Sequence, residues 1–277
     1  MKKAHLALAA LLALRALPAS SQSSDQNPAA PPKVALLVYQ QTQPGRAGAR
    51  QELEASLARA FDRLQAPLSW IELEAVTGPP GALFFDPGKS YDDIEKAGAQ
   101  LGSIFAAHPE LAQKQQAVDE LLTSSSTVVA LRRDDLGYLA DTLDLAKARF
   151  LRIETVKVRP GHERDFVEAQ TTLRSALEKS HSSITRVVYQ IDQGMPAPTF
   201  LVVEVLHSLK ELDDRIAART SLERTETEVE RVHLEQIARD AYESRQSNLY
   251  GIHPEMSHVS KDFAMQDPQF WILKEGQ

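Results

Sequence analysis

The chain contains no cysteine. That excludes thiol catalysis, thiolate-ligated metals, disulfide staples and lipid attachment through an N-terminal cysteine. No long basic run occurs along its 277 residues. This argues against a nucleic-acid groove, which needs clustered cations to displace counterions. The familiar catalytic signatures are missing too: no G-x-S-x-G, no H-E-x-x-H and no phosphate-binding glycine loop. No apolar run reaches the ~20 residues that a membrane anchor needs.

What is present reads as a soluble globular chain, 43% hydrophobic and 25% charged, with net charge -7. At the amino terminus, Lys2 and Lys3 precede the apolar run Leu6–Leu14, and small residues follow at Ala19–Ser21. That order is the pattern of a signal peptide over residues 1–21, cleaved after Ala19 or Ser21, and it predicts a periplasmic or secreted protein. Removing Lys2, Lys3 and Arg15 leaves 28 basic against 38 acidic residues, near -10. Residues 22–33 are polar and proline-rich and read as a flexible linker.

The folded region reads as two similar units, residues 34–148 and 149–260, with a C-terminal extension over 261–277. In the first, the apolar run Val34–Tyr39 is a strand stopped by Pro44-Gly45, and Leu53, Leu57, Ala60, Phe61 and Leu64 form a helical stripe. Trp70–Val76 alternates as a strand with one polar face, and Ala82–Phe85 is a third strand after the Gly78–Gly81 turn. Ser90 and Asp93 form a helix-capping pair; a further helix starts at Pro109, and Thr127–Leu131 is a fourth strand.

In the second unit, Phe150–Val158 is again a strand, with Leu151, Ile153 and Thr155 on one face and Arg152, Glu154, Val156 and Val158 on the other. Its Pro160-Gly161 turn lies 116 residues after Pro44-Gly45, and at that spacing Leu57, Ala60 and Phe61 fall on Leu173, Ala176 and Leu177. Arg186–Ile191 and Phe200–Leu206 supply the next strands, and Ser208 with Glu211 forms a capping box 118 residues after Ser90. Ser221–Gln246 reads as one long charged helix and Asn248–Ile252 as the last strand. Landmarks recurring in one order predict an internal tandem repeat of a β-α-β-β-α-β unit.

On its two Pro-Gly turns, each followed by an amphipathic helix, and on that element order, the chain resembles the dimeric α/β-barrel (ferredoxin-like) superfamily. That group includes antibiotic-biosynthesis-monooxygenase-like and NIPSNAP-like families. The resemblance implies an α+β fold in which two antiparallel sheets pair into a barrel, here within one chain. The oligomer is then a monomeric pseudo-dimer or a homodimer. It also implies functions ranging from cofactor-independent oxygenases to haem-degrading and chlorite-dismutase-like haem proteins, so the fold does not choose among them.

Candidate residues are few. Arg152, Glu154, Tyr189 and His207 form a candidate pocket: strand-borne charges must pair if buried, and a histidine at a strand end is a possible axial ligand for haem. The favoured reading of these charges is structural: an inter-sheet ion-pair network or an exposed sheet edge. His253, Glu255 and His258 offer imidazole and carboxylate ligands after the last strand, but at a spacing that matches no standard divalent-metal motif. Tyr39, Trp70, Tyr189 and Tyr250 fit either core packing or a cavity wall. No cofactor or metal is expected on this reading. The expected function is an exported module that binds a small molecule or a protein partner. The alternative is a cofactor-independent oxygenase-like or haem-related enzyme.

Overall fold

The computed structural model describes residues 30–223 and 228–273. The expected signal peptide and most of the linker lie outside the described residues. Eight strands close into an antiparallel barrel in the order β1-β3-β2-β8-β5-β7-β6-β4. They are β1 (Val34–Thr42), β2 (Ile71–Ala75), β3 (Gly81–Gly88), β4 (Leu122–Arg132), β5 (Phe150–Val158), β6 (Val187–Gln193), β7 (Thr199–Leu206) and β8 (Tyr242–Ile252). Within each half the order is the same, β4-β1-β3-β2 and β8-β5-β7-β6. The halves join through β2–β8 and β4–β6, so no strand edge is left open.

Alternation along the strands sorts the side chains into two faces. Ala35, Leu37, Leu73, Leu83, Phe85, Val128, Leu151, Ile153, Tyr189, Leu201 and Val203 belong to a single buried cluster that fills the barrel. The opposite faces meet helices: α1 (Ala47–Leu64), α2 (Tyr91–Ala107) and α3 (Pro109–Asp119) in the first half, α4 (Glu163–Lys179), α5 (Lys210–Glu223) and α6 (Glu228–Ala241) in the second. Phe166 of α4 stacks on Phe200 at 4.0 Å and packs among Val156, Val158, Val188 and Val202. Leu57, Ala60 and Phe61 of α1 pack on Leu111 and Val118 of α3. Two short helices, α7 (Lys261–Ala264) and α8 (Pro268–Trp271), bring Phe263 and Trp271 onto the barrel core. Much of the expected C-terminal extension is therefore part of the fold. Among the described residues no helix is long and apolar enough to cross a membrane.

The backbone repeats at the spacing read from the sequence. Positive φ angles pair as Gly45 with Gly161, Gln65 with His181, and Gly78 with Gly194, each 116 residues apart. In the first and last pairs glycine takes the left-handed region that side chains disfavour. Each half also latches onto the other. His258 exchanges backbone hydrogen bonds with Trp70, and Tyr138 does so with Arg186 at equivalent positions.

Three local expectations change. Tyr242–Gln246 is strand, not helix, because it pairs with Thr155–Val158 of β5 and tertiary pairing overrides a charged, helix-like composition. The segment Leu122–Ser126 likewise extends β4 against β1, although its polar, mostly exposed residues carry no apolar signal. The capping carboxylates reach one residue further back than the usual box: Asp93 accepts from the Lys89 backbone and Glu211 from the His207 backbone. Ala30–Lys33 ends the tether in a defined place. The Pro31 and Pro32 carbonyls accept hydrogen bonds from Arg132 and Tyr189.

Candidate functional site

The expected pocket residues do not converge. Tyr189 points into the barrel, where its hydroxyl donates to Pro32 and burial raises its pKa. Arg152 and Glu154 point the other way, onto the helix side of the second sheet. There they join an ionic network. Glu204 accepts from Arg152 at 3.0 Å and Arg215 at 2.5 Å, with Arg186 Nε at 3.5 Å. Arg245 grips Glu154 with two hydrogen bonds, 2.5 and 3.0 Å. Arg186 also donates to Gln170. Four guanidiniums and two carboxylates leave this network at +2.

His207 is exposed and bonds through Nδ1 to Glu211. A haem ligand needs a histidine aimed into a dry apolar slot. His207 does not provide that, and the barrel interior is filled by side chains. These residues do not fit the group.

The trio His253, Glu255 and His258 is split as well. His253 Nδ1 pairs with Glu255 at 2.8 Å. His258 turns away to Asp62 and the Ala66 carbonyl, 2.5 and 3.0 Å from its two ring nitrogens. Burial pulls the His258 pKa down, but the bonds to Asp62 and Ala66 and the Asp62 charge outweigh it, so the net shift is upward. Tyr138 makes the equivalent contact in the other half, donating to the Leu177 and Ser182 carbonyls.

Sequence reasoning missed the first half's two unusual features. One is a buried cluster where α1 lies over β2. Arg50, fully buried, contacts Glu54 of its own helix and Glu74 of β2, and stands 3.8 Å from Glu72. Burial raises Glu54 to about 7 despite Arg50, and raises Glu72 well above the carboxylate range, Glu54 adding to the effect. The period-two alternation flagged Glu72 and Glu74. Arg50 and Glu54 lie off the apolar stripe Leu53, Leu57, Ala60, Phe61 and Leu64, so that stripe carries no signal for them.

The other feature is Asp86. Register pairs Asp86 with Leu36, as Glu204 pairs with Arg152 in the second half. Around Glu204 stand Arg152, Arg186, Arg215 and Arg245. Their counterparts at the repeat spacings are Leu36, Trp70, Ala97 and Ser125. Asp86 therefore keeps the carboxylate and loses every guanidinium. Among the described residues no hydrogen bond or ion pair reaches it, and burial raises it to about 7. The same outer sheet face carries Leu36, Val38, Phe84, Val129 and Leu131, each partly exposed. An apolar strip around one half-buried carboxyl group without a partner suits an organic ligand with a weakly acidic proton. Its signal was readable only by comparing the two halves position by position.

No family model matches the sequence, and no curated protein matches it. Solved structures do match in fold. An anthrone oxidase-like protein superposes with TM-score 0.51 at 16% identity, over 79% of this chain and 90% of its own. A provisionally named monooxygenase from Fusobacterium nucleatum gives 0.50 at 9% identity, over 80% and 93%. A provisionally named chlorite dismutase gives 0.49 at 13%, over 85% and 99%. At these identities the likeness concerns the fold alone. What is shared is a closed antiparallel barrel flanked by helices, and the match spans about four-fifths of this chain.

Proposed function

We propose that this is an exported, internally duplicated α/β-barrel protein that binds a small organic molecule with a weakly acidic proton. The molecule lies on the outer face of the first sheet, where Asp86 takes the proton. The observation that carries this reading is the unpaired Asp86 carboxyl among apolar side chains, at the position where the second half has a fully paired glutamate. A carboxylate poised near neutral pH is suited to accept a proton from a phenol or an enol. The second half then serves as scaffold: its equivalent face is closed by Phe166 and by the six-residue ionic network.

A second reading gives the same site an activity. Once deprotonated, an electron-rich phenol or anthrone-like compound reacts with dioxygen directly, without a cofactor. Fold neighbours described as an anthrone oxidase-like protein and as a monooxygenase support this as a class.

The test is a titration with chromophoric phenols at pH 7.5, followed by absorbance and by an oxygen electrode. Binding with a phenolate-like spectral shift is expected, weakened at least tenfold in Asp86→Asn. Oxygen uptake selects the enzymatic reading. Equal binding by the variant and the parent contradicts both. Export is checked by the mass of the protein recovered from the periplasm or medium. Retention of residues 1–19 there would overturn it.

A further inference from the structure

The cluster of Arg50, Glu54, Glu72 and Glu74 is out of electrical balance. Three carboxylates face one guanidinium, and Arg50 and Glu72 are wholly shut off from solvent. A buried excess of two negative charges is costly unless something neutralises it. In the second half, by contrast, each carboxylate of the ionic network is gripped by guanidinium hydrogen bonds.

The unused atoms point the same way. Arg50 engages one oxygen of Glu54 and the carboxylate of Glu74. The other Glu54 oxygen, Oε1, and both oxygens of Glu72 are buried without a hydrogen-bond partner. Glu72 is thus a fully buried, unpartnered side chain aimed into the cluster. Glu54, Glu72 and Glu74 each offer an oxygen, and the three lie within 4.8 Å of one another. Oxygens sharing one hard cation at roughly 2.4 Å each can be no farther apart than that. The strand and helix that carry them are rigid, and Ser257 holds the Glu72 backbone through a 2.9 Å hydrogen bond.

We propose that Glu54, Glu72 and Glu74 bind one divalent cation of the oxygen-seeking class, such as Ca²⁺, Mg²⁺ or Mn²⁺. All-carboxylate ligation favours these over zinc or copper, which take nitrogen or sulfur more readily. A charge of +2 cancels the excess. Arg50 remains as the outer partner that fixes Glu54 and Glu74, and the His253–Glu255 pair borders the cluster. Glu74, the most exposed of the three, marks the side of entry. The site lies on the same sheet face as Asp86 but does not depend on the reading given to Asp86.

The experiment is calorimetric titration of the full-length chain, stripped with chelator, against Mn²⁺, Ca²⁺ and Mg²⁺ separately. Thermal melts with and without each ion accompany it. One equivalent bound by at least one ion is expected, with a Tm rise that saturates at that ratio. Glu72→Gln, which keeps the shape and removes the charge, should weaken binding at least tenfold, and Glu54→Gln should do likewise. Glu204→Gln in the second half should leave it unchanged. Should Glu72→Gln fail to fold, Glu54→Gln and the parent titration decide. No binding by the folded parent, or unchanged affinity in a folded Glu72→Gln or Glu54→Gln variant, would overturn the site.

Discussion

The two halves of the barrel share a backbone and have exchanged their chemistry. Arg50, Glu54 and Glu72 of the first half correspond to Phe166, Gln170 and Val188 of the second. Conversely, Leu36 and Val38 of the first correspond to Arg152 and Glu154. The same helix–sheet contact is ionic near β2 in one half and aromatic in the other, and the central strands show the reverse. Backbone turns and register do not require either choice, since both versions leave the positive-φ positions and strand order intact. What differs is how the carboxylates are held. The second half gives each of its network carboxylates guanidinium hydrogen bonds, whereas in the first Glu72 and Asp86 have no hydrogen-bond partner among the described residues. Residues poised for ligands are therefore sought in the first half.

The largest effect should come from unbalancing the buried cluster further. Arg50→Ala removes the cluster's guanidinium and should cost about 3–5 kcal/mol, read by denaturant melts at pH 7.5. The sharper form of the comparison installs the second half's residues together: Arg50→Phe, Glu54→Gln and Glu72→Val. Replacing a buried ionic group with apolar residues of similar volume is often neutral or stabilising. The triple variant should recover most of the loss. A triple variant as unstable as Arg50→Ala would mean that the two halves are not interchangeable here.

Asp86 gives the next effect, and pH reveals it. Burial lifts its folded pKa to about 7, above the ordinary aspartate value of 3.8. For an acid shifted upward, stability is fully present below the unfolded value and is lost as pH rises through the folded one. The parent should weaken between pH 4 and pH 8 through this group, and Asp86→Asn should not. The stability difference should be near zero at pH 3.5 and reach about 4 kcal/mol in favour of the variant at pH 8. Glu54 and Glu72 titrate in both proteins, so their contribution cancels in the difference. A difference independent of pH would mean that Asp86 is not desolvated.

Much of this architecture was legible in the sequence. The Pro-Gly turns, the 116-residue spacing and the alternation of β5 predicted two matching units, and the barrel follows from them. Strand ends were not legible where the sequence is polar, as at Leu122–Ser126 and Tyr242–Gln246, because partner strands rather than apolar patterning hold them. The candidate site was less visible. Arg152 and Glu154 were singled out, and they are paired scaffold. Asp86 lies just past the apolar strand core Ala82–Phe85, where the apolar signal of that strand ends. Its isolation is a property of Leu36, Trp70, Ala97 and Ser125, residues that carry no chemistry themselves.

A smaller effect separates the two latches. His258 and Tyr138 occupy equivalent places and both bond to the carbonyls after a helix end, but only the histidine faces a carboxylate, Asp62. Its folded pKa is raised above 6.5. Its contribution is therefore full below about 6.5 and fades as pH rises through the folded value. His258→Gln should cost about 1–2 kcal/mol at pH 5.5 and less at pH 9. Tyr138→Phe should cost about 1 kcal/mol at both pH values, having removed a hydrogen bond but no charge. Matching pH profiles for the two variants would contradict the role assigned to Asp62.

The smallest effect tests the repeat itself. Gly45 and Gly161 each end the strand-to-helix turn with φ near +75° and +89°, and a Cβ added at either meets nothing within 4 Å. Alanine there should thus cost only the left-handed backbone penalty, about 1 kcal/mol, with no steric term. The two variants should lose the same amount, since their surroundings are equally open. Gly194 has the same conformation but a different outcome, because its Cβ would fall 2.2 Å from the Thr127 carbonyl oxygen. Gly78, its counterpart, would meet only the Asn248 side chain at 3.0 Å, which can move. Equal losses at 45 and 161, with 194 exceeding 78, would separate what the repeat imposes from what the junction of β4 with β6 adds.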